Sequence, residues 1–177
     1  MIDFRTIDYL RHGTTRQQAV YTLLSGPAIF PPLRAYTPVL AGTIPINVDL
    51  PSSDLDILCC FDDAASFYYD VEKTFVGFDE FALRRMRLRG EDTVVANFTT
   101  AGFAIEVFGQ HIPVTQQTGY RHMVIEHVIL QEKGEAFRQQ VLSLKHEGYK
   151  TEPAFAKLLA LAGDPYQALL DFGTAIV

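Results

Sequence analysis

The chain has 177 residues, 48% of them apolar, and a formal net charge of -6. That balance fits one folded domain with a sizeable core and excludes a disordered chain, while the acid excess disfavours broad binding to a polyanion, which draws on clustered Lys and Arg. No apolar run approaches the roughly 18 residues that span a bilayer, and Asp3, Arg5, Asp8 and Arg11 interrupt the N-terminal stretch where a secretory signal needs a continuous apolar core, so a cytoplasmic protein is expected.

Ile7 and Leu10 predict a first helical stretch. After Gly13 a second helix starts, capped by Thr14 or Thr15, with Ala19, Val20, Leu23 and Leu24 at helical spacing and an end at Ser25-Gly26-Pro27. Pro31-Pro32 marks a turn. Pro38 to Ala41 reads as a short strand broken by Gly42-Thr43, and Ile44 to Ser53 as an irregular crossover. Asp54 to Phe61 is a strand. Asp62 or Asp63 caps a helix over Ala64 to Phe75 with Gly77 as its stop. Three β-like runs follow, Phe81 to Leu88, Thr93 to Thr100 and Phe103 to Phe108, separated at hairpin-like lengths. From Gln116 onward the pattern is helical: one apolar face over Met123 to Leu130, another over Phe137, Val141 and Leu144 up to Gly148, and a third helix from Thr151 to Gly163 with Pro153 in its first turn. The fold class expected is α/β (α+β), a mixed sheet flanked by helices. The expected organisation is a core with N-terminal helices over 1–112 and a C-terminal helical segment over 113–177. The adjacent Cys59 and Cys60 face opposite sides of a strand and read as small core residues.

Asp54 and Asp56 stand one residue apart at the entrance of the apolar run Ile57 to Phe61, so both carboxylates point to one face. Two like charges fixed there repel and lose hydration unless a cation sits between them. Glu106 lies inside the apolar run Phe103 to Phe108 and also needs a partner. If its strand neighbours that of Asp54, three carboxylates converge, and such hard oxygen ligands suit Mg2+ or Mn2+.

Gly42-Thr43, ten residues, Asp54-Leu55-Asp56-Ile57 and later Ile105-Glu106-Val107 together resemble the three-part signature of the DNA polymerase beta-type nucleotidyltransferase superfamily. The resemblance covers about Thr37 to Gly109, and it is closest to small stand-alone bacterial members. It implies transfer of a nucleoside monophosphate from a nucleoside triphosphate to an acceptor hydroxyl. Asp54, Asp56 and Glu106 would hold two divalent cations that clamp the attacking and leaving oxygens. Gly42, Thr43 and Ser53 would meet the triphosphate, since glycine lets an anion approach the main chain. Two departures stand out. Thr43 replaces the commoner Ser, and the interval Ile44 to Ser53 has no Lys or Arg to neutralise phosphate.

Cations elsewhere offer substitutes. Alternation puts Arg85, Arg87 and Arg89 on one face of their strand, where they would grip phosphate or simply guard an exposed sheet edge. Tyr120-Arg121-His122 with Glu126-His127 forms a second polar cluster. Arg121 would reach a substrate phosphate or a carboxylate, and His122 and Glu126 share a helix face one turn apart at a spacing that misses zinc-hydrolase patterns by one residue. The last helix start, Lys150-Thr151-Glu152, is a capped terminus that is also a potential anion site. The function expected is a divalent-metal-dependent nucleotidyltransferase acting on a small hydroxylated molecule, a protein or an RNA, with long nucleic acid least favoured by the charge. The competing expectation is a non-catalytic domain of the same fold that binds a nucleotide or a protein partner. A monomer or weak homodimer is expected.

Overall fold

The β-branched and aromatic runs around the acidic residues assemble into one five-stranded sheet in the computed structural model, which describes residues 2–174. Its strands are β1 (Val39–Ala41), β2 (Leu55–Cys60), β3 (Asp79–Leu88), β4 (Glu91–Thr100) and β5 (Phe103–Gln110). The spatial order is β1-β2-β5-β4-β3, with β2 and β5 parallel and every other pair antiparallel. The helices are α1 (Thr15–Ser25), α2 (Phe30–Leu33), α3 (Ala64–Phe75), α4 (Thr118–His146), α5 (Thr151–Leu158) and α6 (Pro165–Gly173). Among the described residues no helix is long and apolar enough to cross a membrane.

Alternation along the strands splits the core in two. One sheet face carries Leu55, Ile57, Cys59, Ile105, Val107, Val94, Ala96 and Phe98, which pack against Phe67, Val71 and Phe75 of α3 and Val20 and Leu24 of α1. On the other face Val39, Ala41 and Leu58 pack against α4, α5 and α6 through Met123, Ile129, Phe155 and Leu169. The C-terminal helices thus cover the β1 and β2 end of that face. The β3 end lies exposed, and a cleft opens between the two.

Several elements differ from what the periodicity suggests. Leu10 lies in a 3-10 turn over Asp8–His12 that Ile7 precedes, because Gly13 breaks the run and Thr14 opens α1 with a capping box shared with Gln17. Pro31 and Pro32 lie in the first turn of the four-residue α2, where a missing N–H costs nothing, instead of in a turn. The two apolar faces between Met123 and Leu144 are halves of α4, which meet at Gly134 in a left-handed conformation (φ 74°). The last predicted helix ends at Leu158, where Ala160 turns left-handed, and α6 follows as an element the periodicity did not separate.

Gly109 on β5 lies directly beneath α3, where a Cβ would overlap the ring of Phe67. Gly109→Ala is therefore expected to overpack this contact and lower unfolding stability by about 1–3 kcal/mol, read from urea midpoints.

Candidate functional site

The parallel pairing of β2 with β5 sets Asp56 beside Glu106 in register. The same rung runs from Ala41 through Asp56 and Glu106 to Asn97 and Ala82, so one line of positions crosses the whole sheet on the open face. Glu106 is held there by Asn97, whose Nδ2 donates to Glu106 Oε2 at 3.2 Å, and Arg84 Nη2 stands 3.7 Å from the same oxygen. Asp54 precedes β2 and is exposed. All three acids line one cleft of about 700 Å³. They share an edge without closing into a cage: among the described residues no three His, Cys, Asp or Glu side chains converge closely enough to hold an ion.

Burial pushes the Asp56 carboxyl up to about 7, and the negative charges of Asp54, Glu106 and Glu152 add to the rise, with Lys145 opposing it. Asp56 is pressed from above as well. Gly42 has φ +77°, and a Cβ at that position would collide with Asp56 Oδ2. The residue after β1 must be glycine both for its conformation and for the carboxylate beneath it.

Thr43 and Ser53 flank the crossover and line the cleft beside Gly42. The crossover carries no cation of its own, yet donors from the helices hold its carbonyls. Gln17 Nε2 reaches Ile44 O at 2.8 Å, Lys145 Nζ reaches Val48 O at 2.7 Å, Arg138 Nη1 reaches Asn47 O at 3.0 Å and Arg16 Nη2 reaches Ser53 O at 2.8 Å. Three of these four bonds are charge-assisted, and together they fix an irregular loop against both α1 and α4. Ser53 Oγ is already engaged, accepting from Leu50 N at 2.9 Å.

The arginine row is placed differently from the acids. Arg85 pairs in register with Val94 and Arg87 with Asp92, which sets both on the sheet face opposite Asp56 and Glu106. Arg85 is further occupied by Asp92, its Nε donating to Oδ1 at 3.0 Å. Alternation groups Arg85 with Arg87 but does not fix which face the acids occupy; Arg84 is the member that shares it, and Arg89, past the end of β3 with φ 52°, leaves the row and lines the cleft. Arg121 is exposed on α4 and lies outside the cleft lining. The cations that do line the cleft are Arg89, Lys145 and Lys150. Lys145 gives no sequence signal beyond a basic last turn of α4, and its role in the site follows only from the packing.

The helical wall adds His122 and Glu126 of α4 and Glu152 of α5. Nε2 of His122 lies 3.0 Å from the carbonyl of Tyr166, which can only accept, so this nitrogen bears the hydrogen. Nδ1 of the same ring stands 3.5 Å from Glu152 Oε1. Burial raises the Glu126 carboxyl well above its ordinary range, with Glu152 adding and Lys145 opposing.

The model of the family described as Domain of unknown function (DUF4269) matches residues 23–172. The chain belongs to the DUF4269 family. No curated protein matches its sequence. Among solved structures the DUF4269 chain is similar to one described as the GLD-2/RNP-8 complex, with a TM-score of 0.53, 13% identity and coverage of 84% of this chain and 56% of that one. It is also similar to the Cid1 poly(U) polymerase solved with MgGTP bound, with a TM-score of 0.51, 14% identity and coverage of 78% and 42%. A further Cid1 structure, described by its RNA terminal uridylyl transferase activity, gives a TM-score of 0.52 at 13% identity, covering 74% and 39%. The chain thus spans roughly half the length of these proteins or less, and the likeness establishes the fold: a nucleotidyltransferase-like mixed sheet with flanking helices.

A carboxylate raised in the folded state contributes stability that is fully present below its unfolded value and is lost as pH rises through its folded one. In a chelating buffer, stability is therefore expected to fall as pH climbs from about 4 to about 7 and to level off above that, and Asp56→Asn should remove this part of the slope. Thermal melts of both proteins across this range check it.

Proposed function

We propose that this chain is a divalent-cation-dependent nucleotidyltransferase that moves a nucleoside monophosphate from a nucleoside triphosphate to a hydroxyl acceptor. The observation that carries the reading is the stacking of Gly42 directly over Asp56, which is itself in register with Glu106. With no side chain at the turn, the main chain and the Asp56 carboxylate come into close approach, so an anion held by the one and a cation held by the other would lie side by side. Asp54 and Asp56 are the residues that would hold Mg2+ or Mn2+, with Glu106 beside them. Bound there, the cations would neutralise the developing charge on the phosphoryl oxygens.

The remaining parts belong to the chain's own residues. Gly42 and Thr43 offer backbone and hydroxyl to the triphosphate, and the Ser53 backbone closes the same corner. Lys145 and Lys150, from the opposite wall, take the neutralising part that sequence alone assigned to Arg85, Arg87 and Arg121. Lys145 is fixed by Val48, which aims its charge at the crossover. In the reaction the acceptor oxygen bonds to the α-phosphorus as the bond to the β-phosphate oxygen breaks and pyrophosphate leaves. Glu106 is the carboxylate placed to receive the acceptor proton.

A second reading, a non-catalytic domain that binds nucleotide, is favoured by one specific feature: Glu106 is engaged by Asn97 and Arg84. The two readings separate on turnover, whereas both need the nucleotide to bind.

With MnCl2 and a non-hydrolysable ATP analogue at about a hundred times its Kd, mass action should stabilise the native state by about 2.7 kcal/mol. Asp54→Ala and Asp56→Ala should each abolish the manganese-dependent part of the thermal shift. A shift that survives both variants contradicts the assigned metal ligands.

A further inference from the structure

Strand register fixes two of the three acids and leaves the third to something else. The pairing of β2 with β5 begins at the rung of Leu55 and Ile105, and Asp56 and Glu106 form the next rung inside it. Asp54 is exposed and stands one residue before the first rung, outside the paired register. A carboxylate that is to share a cation with Asp56 from there depends for its orientation on what its neighbours touch.

One side chain supplies that anchor. Arg16 of α1, with 29% of its side chain exposed, stands where the crossover returns to the sheet. Its Nη2 donates to the carbonyl of Ser53, the peptide immediately before Asp54, at 2.8 Å. Its Nε lies 3.1 Å from Asp49 Oδ2, an ion pair without a formed hydrogen bond. The guanidinium also lies over the ring of Phe103, 5.1 Å from its centroid, and Phe103 opens β5. Ser53 and Phe103 hold matching places, each two residues ahead of the first rung. Arg16 therefore spans the entrances of the two strands that carry the acids. A planar fork with donors at its edge and a face for an aromatic ring serves both contacts at once, which a point-charge ammonium does not.

Both ends of this link are held. Ser53 N donates to Leu50 O at 2.9 Å and Leu50 N donates to Ser53 Oγ at 2.9 Å, which closes a turn around Pro51 and Ser52. On the other side α1 is fixed by its capping box and by Val20 and Leu24 in the core. We infer that Arg16 is a positioning residue: by joining Ser53 and Asp49 on the crossover to Phe103 on β5, it sets Asp54 in the place from which it shares a cation with Asp56. The inference rests on the metal-site part of the nucleotidyltransferase reading. Arg16 is not among the residues that line the cleft and acts through the peptide it holds. Its charge works in the opposite sense, since removing a positive charge near a metal site tightens cation binding by Coulomb attraction alone. Weaker binding on its removal is thus the mark of geometry.

The probe is manganese alone, titrated into the full chain with free Mn2+ read by electron paramagnetic resonance. Arg16→Gln should weaken binding roughly tenfold. Arg16→Lys keeps the charge without the fork, should bind with an affinity between those of the wild type and Arg16→Gln, and serves if the first variant does not fold. Amide hydrogen exchange should quicken at Leu50 and Ser53 in Arg16→Gln while Ile57 and Leu58 of β2 stay protected. Unchanged or tighter manganese binding in both variants overturns the inference, and so does exchange that quickens equally along β2. A wild-type chain that binds no manganese overturns the metal site and the inference with it. If manganese binding depends on Arg16 but the manganese-loaded wild type does not bind a non-hydrolysable ATP analogue, the positioning role stands and the nucleotidyltransferase reading falls.

Discussion

The parallel pairing of β2 with β5 is the constraint on which the rest depends. It places Asp56 next to Glu106 across one strand spacing, two carboxylates that a sheet cannot separate once its register is set. Their neighbours are equally fixed. Ala41 continues the rung on β1, which delivers Gly42 onto Asp56, and Asn97 continues it on β4, which steadies Glu106. Register is held by the opposite face, where Ile57, Val107 and Ala96 are buried; a slip by one residue would turn those side chains to solvent and the acids into the core. The apolar face therefore enforces the electrostatic arrangement.

That arrangement is maintained against repulsion. Asp56 is partly buried among acids, and burial first, then the charges of Asp54, Glu106 and Glu152, raise its proton affinity. The crossover from Thr43 to Ser53 meets the same shortage with borrowed donors: α1 contributes Arg16 and Gln17, and α4 contributes Arg138 and Lys145. The helices flanking the sheet do more than cover it. They hold the loop that frames the acids.

Much of this was legible in the residues. Alternation alone puts Asp54 and Asp56 on one face, and a lone Glu106 in an apolar strand asks for a companion. The face occupied by the arginines was not legible, because period-two reasoning gives relative parity, while the absolute face depends on the β3 to β4 register and on where the helices pack. Lys145 was invisible for a similar reason: a basic residue near a helix C-terminus is ordinary until α4 is laid against the crossover. The helix α6 had readable signals, Asp164 capping and Pro165 in the first turn, but the short run behind it merges with the preceding apolar residues. His122 and Glu126 read as a polar pair on one helix face, and their burial emerges only from three helices meeting.

The measurement that bears most directly on the central claim is anomalous X-ray diffraction from crystals grown with MnCl2 and a non-hydrolysable ATP analogue. A manganese peak at the carboxylates of Asp54 and Asp56, with the triphosphate against Gly42 and Thr43, is the predicted result. Triphosphate bound elsewhere on the molecule, or bound at Gly42 with no manganese at these carboxylates, would contradict it.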